Sequence, residues 1–339
     1  MTAAAEPVVE VENLRREFTV GRRRAGRRVV AVSDVDLHIA AGEAVGFLGP
    51  NGAGKSTTIK MLTGILVPTA GRVRVCGLEP ARQRRELARH LGVVFGQRSQ
   101  LWWDLPLRDS FALLGAIHRV PDPEHRVRLE RCVDVLQLGP FLDVPVRQLS
   151  LGQRMRGEVT AALLHGPRLL VLDEPTVGLD LVSKERLRTF LQEVNLVDGV
   201  TILLTTHDLP DVERLCRRVV VIDCDPRLRD DGWRGPRDAE MSGGRVVADD
   251  AIDALRTRSG GAREVVVELV APAAPLSDLP GVAEVRVEAD GLRQRLVFAP
   301  GDTTAAALIA AVAARVELRD VSVVEPSIED LVRTLYAPP

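Results

Sequence analysis

The sequence predicts an α/β fold built on a mainly parallel sheet, with an α-rich insertion and a smaller α+β unit towards its C-terminal end. Three observations predict it. Short apolar runs at Leu169 to Leu172, Thr201 to Thr205 and Val219 to Ile222 are separated by helix-like stretches, the alternation of a parallel sheet with crossover helices. A β run from Ala44 to Leu48 passes through the glycine-rich GPNGAGKS into helical periodicity. From Arg263 the pattern changes to alternating strands, EVVVELV, EVRVEA and RQRLVFA, then an alanine-rich helix around Ala305 to Arg315 and a strand near Asp320 to Val324.

Taken in order, Val8 to Val11 and Val29 to Val32 read as short strands, and RREFTVGRRRAGRR between them as a basic, solvated hairpin. Gly92 to Phe95 is a further buried-strand candidate. Pro106 to Gln137 is mostly helical in pattern, within an insertion spanning residues 100–160 approximately. CDPRLRDDGWRGPRDAEMSG, residues 224–243, is rich in Gly, Pro, Asp and Arg and reads as an exposed loop. The expected domains are residues 1–258 and 263–339.

Composition narrows the function classes. The 339 residues fit two domains, at ~100–200 residues per domain. Hydrophobic residues make up 45% and charged residues 27%, enough for packed cores. Lys+Arg at 45 against Asp+Glu at 47 leaves a formal net charge of −2, which lacks the basic footprint of a nucleic-acid binder. Cys76, Cys132, Cys216 and Cys224 are scattered without zinc-type spacing, so reduced thiols are expected. MTAAAEPVVEVENL lacks the basic and apolar regions of a signal peptide. The longest helix-like apolar stretch, Ala305 to Ala314, is far short of the ~20 residues needed to cross a bilayer. Any transmembrane pathway is therefore expected from other chains.

The chemistry concentrates in two places. Gly49-Pro50-Asn51-Gly52-Ala53-Gly54-Lys55-Ser56 matches G-x-x-x-x-G-K-[ST] between a strand and a helix, the context that defines a phosphate-binding P-loop. Glycines let successive N–H groups face inward, and the helix N-terminus adds partial positive charge. Lys55 is expected to bridge the β- and γ-phosphates, Ser56 to offer its hydroxyl to Mg²⁺, and Thr57 to support the metal shell or an α-phosphate oxygen. Leu169-Leu170-Val171-Leu172-Asp173-Glu174 is an apolar strand ending in two acids, at the end of the strand where α/β sheets bind ligands. Asp173 is placed to hold Mg²⁺ through water, and Glu174 to act as the base that polarises a water. Paired acids at a strand end are more often a solvated turn; the P-loop lysine gives these their meaning.

Leu149-Ser150-Leu151-Gly152-Gln153, shortly before the acidic strand, resembles the LSGGQ signature of ATP-binding subunits of ABC transporters. The resemblance runs from about Val8 to Ile222 and continues through GRVVAD to about Leu255. It implies a P-loop NTPase core with a helical insertion and an antiparallel β subdomain, followed here by the small α+β domain. It also implies two such domains paired head to tail, as a homodimer or as a heterodimer, each ATP lying between the P-loop of one and the signature of the other. Ser150 and Gly152 would then contact the γ-phosphate in trans, Gln153 closing the signature, with the N-terminal dipole of the following helix aimed at phosphate. Leu151 departs from the usual glycine.

By the same resemblance Phe18 stacks on adenine, Gln97 belongs to the Q-loop beside the metal, Asp180 ends the D-loop GLD, and His207 contacts the γ-phosphate. Trp102 and Trp103 with Leu105 form either a buried core cluster or a surface for membrane permease subunits. The tail PSIEDLVRTLY, with LSLGQRMR and VLDEPTVGLD, resembles ATPases of ABC-2-type export systems. The implied function is hydrolysis of ATP, with Mg²⁺, to power an integral-membrane permease from the cytoplasmic face. The rival readings are a soluble ABC ATPase acting on ribosomes or DNA, and an ABC-like regulatory protein that binds ATP.

Overall fold

The computed structural model of the chain describes residues 7–20, 27–96, 99–224, 243–258, 263–299 and 301–324. It divides into two units, Met1–Asp249 and Asp250–Pro339.

In the first unit β1 (Val9–Val20) pairs antiparallel with β2 (Arg27–Ile39) and with β4 (Ala70–Val75). Both hairpin strands are longer than their apolar cores suggest, because the pairing continues from Val9–Ile39 out to Val20–Arg27. β3 (Ala44–Leu48) pairs parallel with β7 (Thr201–Thr205) and β8 (Arg218–Cys224). β6 (Leu169–Asp173) joins β7 to β5 (Leu91–Phe95), again in parallel. With β9 (Gly244–Ala251), the sheet runs β4-β1-β2-β9-β8-β3-β7-β6-β5 among the described residues. Strands β3 and β7 are buried along their whole length, which is why they read as continuous apolar runs and not as alternating ones.

Helix α1 (Lys55–Leu62) follows β3 directly, and the short α2 (Arg84–Leu87) precedes β5. The insertion comprises α3 (Leu107–His118), α4 (Asp122–Val135), two single 3-10 turns and α5 (Leu151–Leu163). α3 buries Leu107, Phe111 and Leu114, the i, i+4, i+7 stripe of an amphipathic helix. The start of α5 is capped twice over: the Ser150 hydroxyl accepts the Gln153 backbone N–H at 3.2 Å, and the Gln153 side chain accepts the Ser150 N–H at 2.9 Å. This capping box fixes where the helix begins. α6 (Leu181–Leu196) and α7 (Leu209–Leu215) complete the unit.

The second unit contains α8 (Ile252–Arg258) and an antiparallel sheet ordered β11-β12-β10-β13 among the described residues. Its strands are β10 (Arg263–Leu269), β11 (Val282–Glu288), β12 (Arg293–Phe298) and β13 (Leu318–Val324). Helix α9 (Ala305–Ala313) packs Leu308 and Val312 into a core with Val265, Val267, Leu296 and Phe298. Residues 225–242 of the expected loop, and the tail from Pro326, lie outside the described residues.

Candidate active site

The turn from β3 into α1 is a cradle that only glycine can complete. Gly54 lies at φ +92°, and a Cβ on it would come within 2.6 Å of the Ala31 carbonyl oxygen on β2. Left-handed backbone is cheap for glycine and strained for other residues. Closing so tightly, the loop walls a cavity of about 510 Å³ lined by Asn51, Gly52, Gly54, Lys55, Ser56, Thr57, Asp173, Glu174 and His207, among others. Lys55 folds across the loop, its ammonium donating to the carbonyls of Gly49 at 2.5 Å and Pro50 at 3.0 Å. Burial pulls the Lys55 pKa below its ordinary value, and the nearby Glu174 and Asp173 oppose that shift. Ala53 is fully buried behind the loop.

On the opposite wall the end of β6 presents two acids to one cavity. Successive residues of a strand point to opposite faces, so an extended Glu174 would face away from Asp173. It does not, because Glu174 takes φ +57°, a conformation uncommon outside glycine and concentrated at functional sites. Its N–H stays tied to the Thr205 carbonyl at 2.9 Å. Burial raises the Glu174 pKa above the usual carboxylate range and the negative Asp173 adds to it, while His207 and Lys55 hold it back. A His207 ring nitrogen lies 3.5 Å from the Glu174 carboxylate. Asp173 accepts the Thr205 hydroxyl at 2.5 Å on one oxygen.

Thr176, two residues after Glu174, and Thr206, the residue before His207, both donate to a side chain that sequence reasoning passed over. Asp211 is fully buried, and its carboxylate takes the Thr176 hydroxyl at 2.5 Å and the Arg188 Nε–H at 2.6 Å. The Thr206 hydroxyl in turn accepts the Asp208 N–H at 2.9 Å, and Lys184 pairs with Asp208 at 2.5 Å. These partners come from three separate stretches of chain, so local spacing carries no sign of them. Thr205, which grips Asp173, was missed for the same reason.

The remaining expected residues are placed as follows. Ser150 and Gln153 stand at the start of α5, and because the Ser150 oxygen accepts within the cap, its own proton is free to be donated. Asp180 caps α6, accepting the Ser183 N–H at 2.9 Å and hydroxyl at 2.7 Å, which hold its carboxyl below the usual range. Phe18 is not brought to the lining of the cavity; it lies half-buried on β1 beneath the Arg16 guanidinium, 4.5 Å from the ring centre. Gln97 lies outside the described residues. The cavity also takes in Val177, inside the VLDEPTVGLD stretch, and Ala31, Lys60, Ile65, Phe95 and Gly96, which have no motif to announce them.

Leu151 has a partner in the same chain. Gly178 lies at φ +76°, and a Cβ there would come within 2.3 Å of the Leu151 side chain. Gly178→Ala is expected to lower stability by about 2 kcal/mol or more, from backbone strain and overpacking together. Leu151→Ala should relieve only the packing part. Thermal melts of the two single variants and the double variant check this; an equal cost of Gly178→Ala with and without Leu151 would show that the contact has no weight.

Strand, glycine loop, helix, lysine and facing acids together define a P-loop site for a nucleoside triphosphate. Residues 32–177 match the family described as ABC transporter. The chain is 38% identical over 211 residues to the Nod factor export ATP-binding protein I of Paraburkholderia xenovorans (strain LB400), covering 61% of this chain and 67% of that one. It is 31% identical over 307 residues to the daunorubicin resistance ATP-binding protein DrrA3 of Streptomyces coeruleorubidus, covering 89% of each. The match thus spans about two thirds of the Nod factor export relatives and most of DrrA3. A solved ATP-binding subunit of an ABC transporter superposes with TM-score 0.60 at 26% identity, over 75% of this chain and 93% of that one. An ATP-binding cassette solved as a dimer in a post-hydrolysis state with ADP and Pi gives TM-score 0.58 at 25% identity, over 72% and 98%. The chain belongs to the ABC transporter family, as one of its ATP-binding subunits.

Proposed function

We propose that this chain is the ATP-hydrolysing subunit of an ABC-2-type exporter, acting as a pair of copies against integral-membrane permease chains on the cytoplasmic face. The observation that carries the proposal is the convergence of Lys55, Ser56, Asp173, Glu174 and His207 on one cavity. Export is supported by relatives named for Nod factor export and daunorubicin resistance. Among the described residues no helix is long and apolar enough to cross a membrane; in this reading the pathway belongs to separate chains.

In the proposed reaction the loop N–H groups and Lys55 bind the triphosphate, Lys55 exchanging the Gly49 and Pro50 carbonyls for β- and γ-phosphate oxygens. Glu174, with its raised pKa, orients a water and receives its proton. His207, beside it, steadies the γ-phosphate. Ser150 and Gly152 of the second copy close over the same phosphate, and Phe18 and Gln97 are assigned to adenine and to the metal shell on the family pattern alone.

The donor set fits Mg²⁺. The Ser56 hydroxyl and Asp173 carboxylate face the same cavity, and among the described residues no group of three or more His, Cys, Asp or Glu could hold a metal. Magnesium is commonly bound by one or two protein oxygens together with substrate phosphates. When bound, it neutralises charge on the phosphate oxygens.

Trp102 and Trp103 are 37% and 51% exposed, which places them at the surface and not in the core. They are the proposed permease contact. Purification of the native assembly is expected to bring down integral-membrane chains and an ATPase activity. Co-purifying ribosomes, or no hydrolysis either alone or with membrane companions, would overturn the proposal.

A further inference from the structure

The exposed tryptophans stand on a segment that is fastened to the helix bearing Ser150. Glu158, in the middle of α5, is only 4% exposed. One of its carboxylate oxygens accepts the Ser99 hydroxyl, and the other accepts the Gln100 backbone N–H at 3.2 Å. The Gln100 side-chain amide returns to the same helix, donating to the Glu158 carbonyl at 3.1 Å. The Ser99 oxygen also accepts the Leu101 N–H at 3.1 Å. Next along, the Trp102 N–H donates to the Ser110 hydroxyl of α3 at 3.1 Å, and the Arg154 guanidinium of α5 lies over the Trp103 ring at 5.7 Å. Every residue from Ser99 to Trp103 therefore has a named partner on, or is bonded to a neighbour held by, α3 or α5.

A buried carboxylate is a costly way to secure a turn. Burial pushes the Glu158 pKa up, and the Ser99 and Gln100 hydrogen bonds hold it back. Well-packed apolar residues often stabilise as well as a buried polar cluster, whereas directional hydrogen bonds favour one arrangement over others. We propose that Glu158 is a positioning residue that locks the segment carrying Trp102 and Trp103 to α5, so that the tryptophans and the Ser150 end of the helix move as one body. Ser150 and Glu158 are separated by about 12 Å of helix, at ~1.5 Å per residue. Force applied at the tryptophans then reaches the proposed γ-phosphate contact through a rigid rod. The inference rests on the proposal that the start of α5 engages ATP across a pair of copies.

The test uses the full chain carrying Glu174→Gln, to hold the ATP-bound state, and Trp233→Phe. Trp102 and Trp103 are then the only tryptophans. MgATP is expected to dimerise this parent and to change its tryptophan emission. Adding Glu158→Ala should leave MgATP affinity within about threefold while removing about half or more of the emission change, since the coupling and not the binding site is lost. Glu158→Gln should restore most of it. A glutamine carbonyl can still accept from Gln100, and its amide can donate to Ser99, whose hydroxyl then turns to the Leu101 carbonyl 3.4 Å away.

A full parental emission change in Glu158→Ala overturns the inference. So does a loss of MgATP affinity in step with the emission change, which would make Glu158 structural only. Should Glu158→Ala fail to fold, Ser99→Ala decides: it removes one donor and leaves the Gln100 bond, and an undiminished emission change in that variant overturns the inference. A parent that stays monomeric with MgATP is a failure of the proposed function itself, and takes this inference with it.

Discussion

Glu174→Gln protein is expected to bind MgATP, to accumulate as a closed dimer, and to turn over ~10²–10⁴-fold more slowly than wild type, the usual worth of a general base. The reason is geometric before it is electrostatic. Positive φ at Glu174 turns its carboxylate into the cavity beside Asp173, and glutamine keeps that placement while losing the capacity to take a proton. Single-turnover hydrolysis and size-exclusion chromatography with ATP measure the two halves of the result. Unchanged turnover would remove Glu174 from the reaction.

The direction of the Glu174 shift adds two pH signatures. In its proposed role as the base Glu174 works deprotonated, and burial raises its pKa. Wild-type turnover should therefore fall, as pH decreases, at a pH above the ordinary carboxylate range; the residual rate of Glu174→Gln should lack that limb. For stability the sign is opposite. A carboxyl whose folded pKa is raised contributes stability fully below its unfolded pKa and loses it as pH rises through the folded value. Glutamine carries no such loss. Glu174→Gln is expected to melt above wild type at neutral pH, with the gap closing on acidification.

What could be read from the sequence tracks how local each determinant is. The P-loop is eight consecutive residues with a strand before it and a helix after it, so Lys55 and Ser56 could be assigned roles without knowing the rest of the chain. Asp173 was similarly legible at the end of an apolar run. That Glu174 shares its cavity was not, because a strand pattern places neighbours on opposite faces and nothing in the letters signals a positive φ at glutamate. The grip of Asp211 on Thr176 and Arg188, and of Glu158 on Ser99 and Gln100, joins residues tens of positions apart. No window of sequence contains both partners. Strand β4 went unread because only Val73 and Val75 of its six residues are buried, too little apolar character to mark it out.

Leu151 shows how a departure from a family pattern can have a local reason. Glycine at that position of the signature leaves room; leucine fills it against Gly178, two residues before the Asp180 cap of α6. The start of α5 and the start of α6 are thereby packed together within one chain. In the proposed dimer both elements would approach the partner's nucleotide, so the contact places them there as a pair.

The second large effect is expected from Lys55→Ala: weaker MgATP binding by ~10–100-fold, with the fold intact. Hydrogen bonds to charged groups are each worth ~1.5–3 kcal/mol, and in its proposed role of bridging two phosphates Lys55 would supply at least one such interaction that alanine cannot. The loss should be of affinity and not of structure, because the ammonium is a strained tenant of its site. Burial disfavours its charged form, as the lowered pKa records. A group with a depressed folded pKa contributes stability above its unfolded pKa and loses it as pH falls through the folded one, so at neutral pH the charged lysine does not stabilise the fold through its titration. Alanine gives up the bonds to the Gly49 and Pro50 carbonyls, and a small fall in melting temperature is the expected cost. Titration calorimetry with MgATP, paired with a thermal melt of each protein, separates the two. Wild-type affinity in Lys55→Ala would mean that the loop between β3 and α1 does not hold phosphate, and the nucleotide site would have to be sought elsewhere.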